Sequence, residues 1–192
     1  MNRELVVREL QAVFKVLSED IEGIRLYGQE HPTDLAHRTL LRTHFSFIEG
    51  MAYQLRQVAL YSASEHLGFF SPEELAILKE EKYGLNKKGE IEVQGNFQKL
   101  RPAILFSIRC YCKIHGAEFE PDTSRHGWDA IGKYQVIRNQ LAHPKSTADL
   151  KITDEKLKCS QDAAEWFKGT LLAMFHACDE ADAKYEVLKK GT

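Results

Sequence analysis

The stretch from residue 40 to residue 62, LLRTHFSFIEGMAYQLRQVALYS, decides the fold class. Its mostly apolar positions recur in alternating steps of four and three, which keeps them on one face of an α-helix. Seven positions form this stripe: Leu41, Phe45, Ile48, Ala52, Leu55, Ala59 and Ser62. Four further residues widen it: Leu40, Phe47, Met51 and Val58. So wide an apolar face predicts the central helix of a bundle.

Helical spacing continues on both sides of this stretch. His31-Pro32 interrupts the pattern before it, and Thr33 can cap the central helix. The predicted long helices cover residues 6–24, 33–62, 97–114, 128–141 and 164–188. The closing stripe reaches as far as Leu188. We therefore expect an all-α antiparallel helical bundle of about five helices, folded as a single domain over residues 1–192.

A variable segment separates the central helix from the next long one. Ser71 can cap a short helix with Pro72 at its first position, and this helix is expected to run to about Lys82. Residues 83–96, YGLNKKGEIEVQGN, are rich in Gly and Asn and contain a short alternating apolar pattern. We predict a loop or small hairpin there, as an insertion between helices.

The composition is typical of a globular domain, with 43% hydrophobic and 28% charged residues in a chain of 192. No stretch approaches the roughly 18 consecutive apolar residues that a transmembrane helix needs. Arg8 and Glu9 interrupt the apolar residues near the N-terminus, which argues against a signal peptide. We therefore expect a cytoplasmic protein with no membrane partner.

The cysteines do not indicate a disulfide framework or a metal site. Cys110, Cys112, Cys159 and Cys178 are too few and too scattered for disulfide-rich folding. The Cys110-x-Cys112-x-x-His115 pattern lacks a second ligand pair at zinc spacing, and on a helix its two thiols point about 200° apart. We expect these thiols to be small core residues, and we expect no metal or other cofactor.

Charge is unevenly distributed, although the formal net charge is only −2. Residues 99–145 carry 8 Lys or Arg against 4 Asp or Glu, whereas acidic residues are in excess on both sides. This basic segment can form a positive patch for a phosphate backbone, or it can be an ordinary solvated surface.

The basic segment ends in residues 137–144, IRNQLAHP. Pro144 disfavours a helical conformation at the residue before it, so the helix should end near Ala142 or His143. Arg138 would lie at the edge of the buried stripe, and His143 at the C-terminal end of the helix, where the backbone favours a cation.

Arg138, Asn139 and His143 together have the chemistry to act on a phosphodiester. A guanidinium binds a phosphate through two parallel hydrogen bonds, and a histidine exchanges protons near neutral pH. Because RNA carries its own nucleophile, the ribose 2′-hydroxyl, such a set can cleave it without a metal. A full acid–base pair needs two histidines, which a symmetric dimer would supply. The alternative is that the Arg and the His only compensate the helix dipole.

The string Arg138-Asn139-x-x-x-His143, at the end of a helix in a small α-bundle, resembles the HEPN superfamily. The hallmark of that superfamily is an Arg, often followed by Asn or Asp, a few residues before a His. The layout is also similar over most of residues 33–190: a long apolar helix with an embedded Glu49, a variable middle, the motif helix and a long closing helix. Lys145 stands where some toxin members carry a Tyr, so neutralisation by modification of that position is not expected.

The resemblance implies a metal-independent endoribonuclease whose site lies where two protomers meet. Arg138 would stabilise the pentavalent phosphate, His143 would transfer protons, and Asn139 would orient one of them. Such proteins are often toxins, phage-defence effectors or RNA-processing factors, so the expected partners are RNA, a second copy of the chain, and an antitoxin or regulatory protein. The alternative is a non-catalytic HEPN-like module for dimerisation or for nucleotide or partner binding.

Six other polar residues are weaker candidates. Glu49 edges the apolar stripe of the central helix and either pairs with Arg138 from the facing helix or is solvated. His44, on the same helix, is expected to be a partly buried supporting residue. The remaining four are candidate contacts to an RNA backbone or ordinary surface charges: Arg42, Arg109, Lys133 and Lys145.

Overall fold

The computed structural model describes residues 3–65 and 68–190, apart from the side chains of residues 186 and 188–190. Within those residues it contains six α-helices and one hairpin. The helices are α1 (Arg3–Glu30), α2 (Asp34–Glu65), α3 (Pro72–Leu78), α4 (Leu100–His115), α5 (His126–Ala142) and α6 (Asp154–Lys190). The antiparallel strands are β1 (Glu81–Leu85) and β2 (Ile91–Gly95), and a short 3-10 helix spans Thr147–Leu150. The predicted all-α bundle with a small insertion is confirmed.

Helix α2 is the centre of the bundle, as its wide apolar face predicts. It contacts α1, α4, α5 and α6, and every position of its predicted stripe is buried. The Phe47 ring lies 5.8 Å from the ring of Phe14 on α1 and 5.8 Å from the ring of Phe167 on α6, measured between centroids. One side chain of α2 therefore joins three helices.

Helix α5 is fixed against α2 by both packing and a hydrogen bond. Trp128, Ile131, Tyr134 and Leu141 are buried along one face of α5. The Tyr134 hydroxyl donates to the backbone carbonyl of Leu41, and burial raises the pKa of that phenol. This bond satisfies a buried polar group and sets the position of the motif-bearing helix on α2.

The apolar stripe of α6 is buried only in its first part. The five positions from Ala164 to Cys178 are buried as predicted, but Ala181 is partly exposed and Tyr185 is exposed. Ala181 and Tyr185 line an open cavity instead, beside the start of α1 and the end of α4. The side chain of Leu188, the last predicted member, lies outside the described residues.

The segment after α2 confirms the predicted start of the short helix and corrects its end. Ser71 caps α3 reciprocally with Glu74, and Pro72 occupies the first position. The helix ends at Leu78 rather than near Lys82, because Glu80 has a left-handed backbone with φ of 55°. Strand β1 begins immediately afterwards, so the insertion is a hairpin.

The cysteines lie in the core, as expected. Cys110, Cys112 and Cys178 are buried and Cys159 is partly buried, and all four are free thiols. Across residues 3–65 and 68–190, every helix falls short of the apolar length that crossing a bilayer requires.

Candidate functional site

The helix end that carries the motif has a defined backbone. His143 follows the last residue of α5, and its N–H donates to the carbonyl of Asn139 at 2.9 Å. Its φ of −131° and ψ of 61° are not helical, which is the effect expected of Pro144 on the residue before it. Because Leu141 is buried, the last turn is anchored in the core. The predicted end of the helix is confirmed.

Arg138 is the best-positioned functional candidate. Its Nη2 donates to Glu49 Oε2 at 3.4 Å, and its Nη1 donates to Asn139 Oδ1 at 3.2 Å. The guanidinium carbon lies 4.8 Å from the centre of the Phe45 ring, at cation–π distance. The side chain is nevertheless 37% exposed. The guanidinium is therefore oriented by three neighbours and still accessible to an anion.

A shallow pocket between α2 and α5 adjoins this guanidinium. Its volume is about 260 Å³, just below the range of about 300–1,000 Å³ typical of small-molecule pockets. Its lining consists of Leu41, Arg42, Phe45, Ser46, Glu49, Tyr134, Arg138, Leu141 and Ala142. With two guanidinium groups and one carboxylate among its described residues, the lining has a net positive charge, which favours an anion.

Arg42 has a structural contact at this pocket. Its Nη2 donates to the backbone carbonyl of Leu141 at 3.4 Å. That carbonyl belongs to the last turn of α5, where carbonyls lack an intrahelical donor. Arg42 therefore supports the motif-bearing helix end and is a second arginine in the lining of the pocket.

The structure brings together only part of the predicted set. Glu49 and Asn139 contact Arg138, and Arg42 lines the same pocket. His143 is not one of the described residues that line the pocket. Its side chain is exposed just beyond the end of α5. The pairing of Glu49 with Arg138, one of the two alternatives that the sequence leaves open, is present.

The other four candidates lie outside this pocket. His44 faces α6, where its Nδ1 lies 3.3 Å from Ser160 Oγ, because it is about 140° around α2 from Glu49. Lys133 is exposed near Cys159. Arg109 is exposed on α4, and Lys145 is exposed in the turn after α5, where its backbone N–H donates to Asp149.

One polar cluster was not predicted from the sequence. His115 Nδ1 lies 2.8 Å from Asp182 Oδ2, and within the described part of the chain its buried Nε2 has no hydrogen-bond partner. Both residues line the open cavity at the end of α6, of about 970 Å³. The two side chains are 67 residues apart in sequence, so only tertiary packing brings them together. Among the described residues, the linings of this cavity and of the Arg138 pocket have no member in common.

The Glu49–Arg138 pair should contribute little to stability. Both side chains are more than a third exposed, and exposed ion pairs typically contribute about 0–1 kcal/mol. Glu49→Gln is therefore expected to change the free energy of unfolding by less than about 1 kcal/mol, measured by urea denaturation. A loss of several kcal/mol would show that Glu49 is a structural residue of the α2–α5 contact.

Buried His44 should make stability depend on pH. Burial lowers the pKa of His44 from 6.5 to about 4. Between pH 4 and 6.5, the imidazole is therefore protonated in the unfolded chain but not in the folded chain. The stability contribution is complete above pH 6.5 and is lost as pH falls towards 4, by up to about 3 kcal/mol. His44→Leu should flatten the dependence of the unfolding free energy on pH in this interval relative to wild type. Equal slopes for the two proteins would contradict this assignment.

Together, the fold and the site define a helical bundle with an Arg-Asn-x-x-x-His helix end beside a small, positively charged pocket. No protein-family model, curated protein sequence or solved structure matches the chain. Its function is therefore inferred from its own residues.

Proposed function

We propose that the protein is a metal-independent endoribonuclease of the HEPN type, acting in the cytoplasm as a homodimer. The observation that carries this proposal is the guanidinium of Arg138, which is oriented by Glu49, Asn139 and Phe45 yet open to solvent. It lies in the last turns of a helix that ends at the exposed His143. Each copy would therefore supply one phosphate-binding group and one of the two histidines that transesterification at an RNA phosphate requires.

Arg138 is the phosphate-binding group in this proposal. The contact with Glu49 is long, at 3.4 Å, and is exposed, so a phosphate can displace the carboxylate at small cost. A guanidinium then binds two phosphate oxygens and stabilises the additional charge of the pentavalent phosphorus. Arg42, which lines the same pocket from α2, supplies a second positive charge.

His143 is the proton-transfer group. It accepts the proton of the ribose 2′-hydroxyl as that oxygen attacks phosphorus, and the bond from phosphorus to the 5′-oxygen breaks. The histidine of a second copy gives a proton to the departing 5′-oxygen. The products are a 2′,3′-cyclic phosphate and a 5′-hydroxyl. Two copies of the motif helix facing one cleft would provide both histidines.

The direct test is cleavage of single-stranded RNA by purified protein in EDTA, with analysis of the product ends. Wild type should produce 2′,3′-cyclic phosphate ends, Arg138→Ala should be inactive, and Arg138→Lys should be strongly impaired because an ammonium lacks the two-pronged geometry. Intact RNA at high protein concentration, or identical profiles for wild type and Arg138→Ala, would overturn the proposal.

A second candidate is a non-catalytic HEPN-like module for dimerisation or for nucleotide or partner binding. The observation that favours it is the ion pair of Arg138 with Glu49, which occupies the guanidinium in the free chain. It predicts a defined dimer with no cleavage under any condition. For the ribonuclease, we propose a biological role as a toxin or phage-defence effector. An antitoxin or regulatory protein would hold its activity in check.

A further inference from the structure

The hairpin presents an apolar face with nothing packed on it among the described residues. Tyr83 is in register with Val93, and Leu85 with Ile91. Side chains two residues apart on a strand share a face, so all four point to the same side of the hairpin. We call the hairpin formed by β1 and β2 the arm, and these four residues with Phe97 its apolar face.

The apolar face is strongly exposed. Leu85 is 74% exposed and Ile91 76%, and more than half of Tyr83 and of Val93 is accessible. Phe97 extends the face beyond the end of β2. A Cβ atom built on Gly95 would point to the same side as Val93, and the Phe97 ring lies 3.8 Å from that position. Phe97 is 86% exposed. Five large apolar side chains are therefore contiguous and open to water.

Such an arm needs a covering partner. An isolated two-stranded hairpin is only marginally stable in water, and contiguous exposed apolar patches mark interaction sites. Four of the five side chains are β-branched or aromatic, the types that strands favour. The bundle core does not use these side chains, because none of them belongs to either core cluster of buried residues.

We propose that the apolar face of the arm binds the same face on a second copy of this chain. A two-fold axis that lies in the plane of contact, perpendicular to the strands, sets the tip of each arm over the base of the other. The tip carries the exposed Lys87 and Lys88, and the base carries the Glu81 carboxylate on the apolar face, where it accepts a hydrogen bond from Tyr83. Opposite charges therefore meet at both ends of a self-complementary apolar surface.

The position of the arm also favours a second copy as its partner, a preference that rests on the proposed function. The base of the arm is fixed to α2, where Arg56 pairs with Glu80, and Arg56 also lies over the ring of Tyr53. Glu49, Tyr53 and Arg56 are spaced by four and three residues, so they share one face of α2. Glu49 is the partner of Arg138 and lies about 10 Å along α2 from Arg56.

The base of the arm and the Arg138 pocket therefore lie against the same face of α2. Five side chains are too few for the roughly 800 Å² per partner of a standard interface, so the rest of the contact would extend over this face of α2. A second copy held by the arm would then lie beside the pocket, where the proposed reaction needs a second histidine.

The experiment is sedimentation equilibrium of the full chain and two matched double variants at up to about 100 µM. Leu85→Thr with Ile91→Thr removes the apolar face and keeps strand-favouring residues. Glu92→Thr with Gln94→Thr makes the same replacement on the opposite face of β2. Wild type and the opposite-face variant should be dimers. The dimer dissociation constant of the apolar-face variant should be at least tenfold higher than that of wild type.

A monomeric wild type would overturn the inference, and so would an apolar-face variant that dimerises as tightly as wild type. Loss of the dimer in both variants would also overturn it, because the effect would not depend on the apolar face. Equal helical circular dichroism for the three proteins would show that the bundle is intact. Cleavage assays on the same samples separate the two proposals. A dimer that requires the arm but never cleaves supports the arm and refutes the ribonuclease, whereas a dimer that cleaves RNA but forms equally well without the apolar face does the reverse.

Discussion

His143→Ala should lower the rate of RNA cleavage by roughly 10²–10⁴-fold, the usual contribution of a general acid or base. The fold should not change, because the side chain is exposed and the hydrogen bond that ends α5 comes from the backbone N–H of residue 143. The measurement is single-turnover cleavage of single-stranded RNA in EDTA, alongside urea denaturation of the same preparation.

The chain contains a matched control for this substitution. His31 also precedes a proline at the end of a helix, is exposed, and donates its backbone N–H to Tyr27 as His143 does to Asn139. It lacks an Arg-Asn pair in the preceding turn. His31→Ala should therefore cleave at the wild-type rate. If His143→Ala is equally active, or if both variants are impaired alike, His143 is not a catalytic residue.

Phe47→Ala should lower the free energy of unfolding by about 3–5 kcal/mol, a large part of the stability of a domain. Phe47 is only 1% exposed, and its ring contacts Phe14 of α1 and Phe167 of α6. Truncation would leave a cavity where three helices meet, and two aromatic contacts would be lost with it. Urea denaturation with a two-state fit measures the change.

Leu35→Ala is the control for this prediction. Leu35 lies on the same helix but is 62% exposed, so its truncation should change stability by no more than about 0.5 kcal/mol. Equal losses for Phe47→Ala and Leu35→Ala would contradict the central position of α2.

The fold could be predicted because helix packing depends on local spacing. The four–three steps in α2 place its side chains on a buried face whichever helices surround it, and the same reasoning locates α5 and the buried part of α6 from Ala164 to Cys178. It missed the first ten residues of α6, which begins at Asp154. The end of α3 could not be predicted in this way. It depends on the left-handed backbone of Glu80, a non-glycine residue whose conformation its own residue type does not indicate.

The sequence predicts those features of the candidate site that depend on neighbouring residues in the chain. It leaves open the contacts between residues that are far apart in the chain. Pro144 and the buried Leu141 determine the helix end from sequence alone. The contact of Arg138 with Glu49 joins residues 89 apart, so it depends on how α5 packs on α2. His44 shows the same limit, because spacing places it on α2 but does not show that it faces α6.

The exposure of the arm was also beyond the sequence. Alternation indicates which side chains share a face of a hairpin, but it does not indicate whether another element covers that face. Ile91 and Val93 would have the same pattern in a buried hairpin, and only the tertiary structure shows them open to solvent.

The most direct test of a ribonuclease site shared by two copies of the chain is a crystal structure of the dimer. We expect the Arg138 and His143 side chains of both copies to face one cleft, with the two imidazoles within about 10 Å of each other, the span of one phosphodiester step and its contacts. Motif helices on opposite sides of the dimer, or imidazoles separated by much more than that distance, would contradict the proposed ribonuclease site.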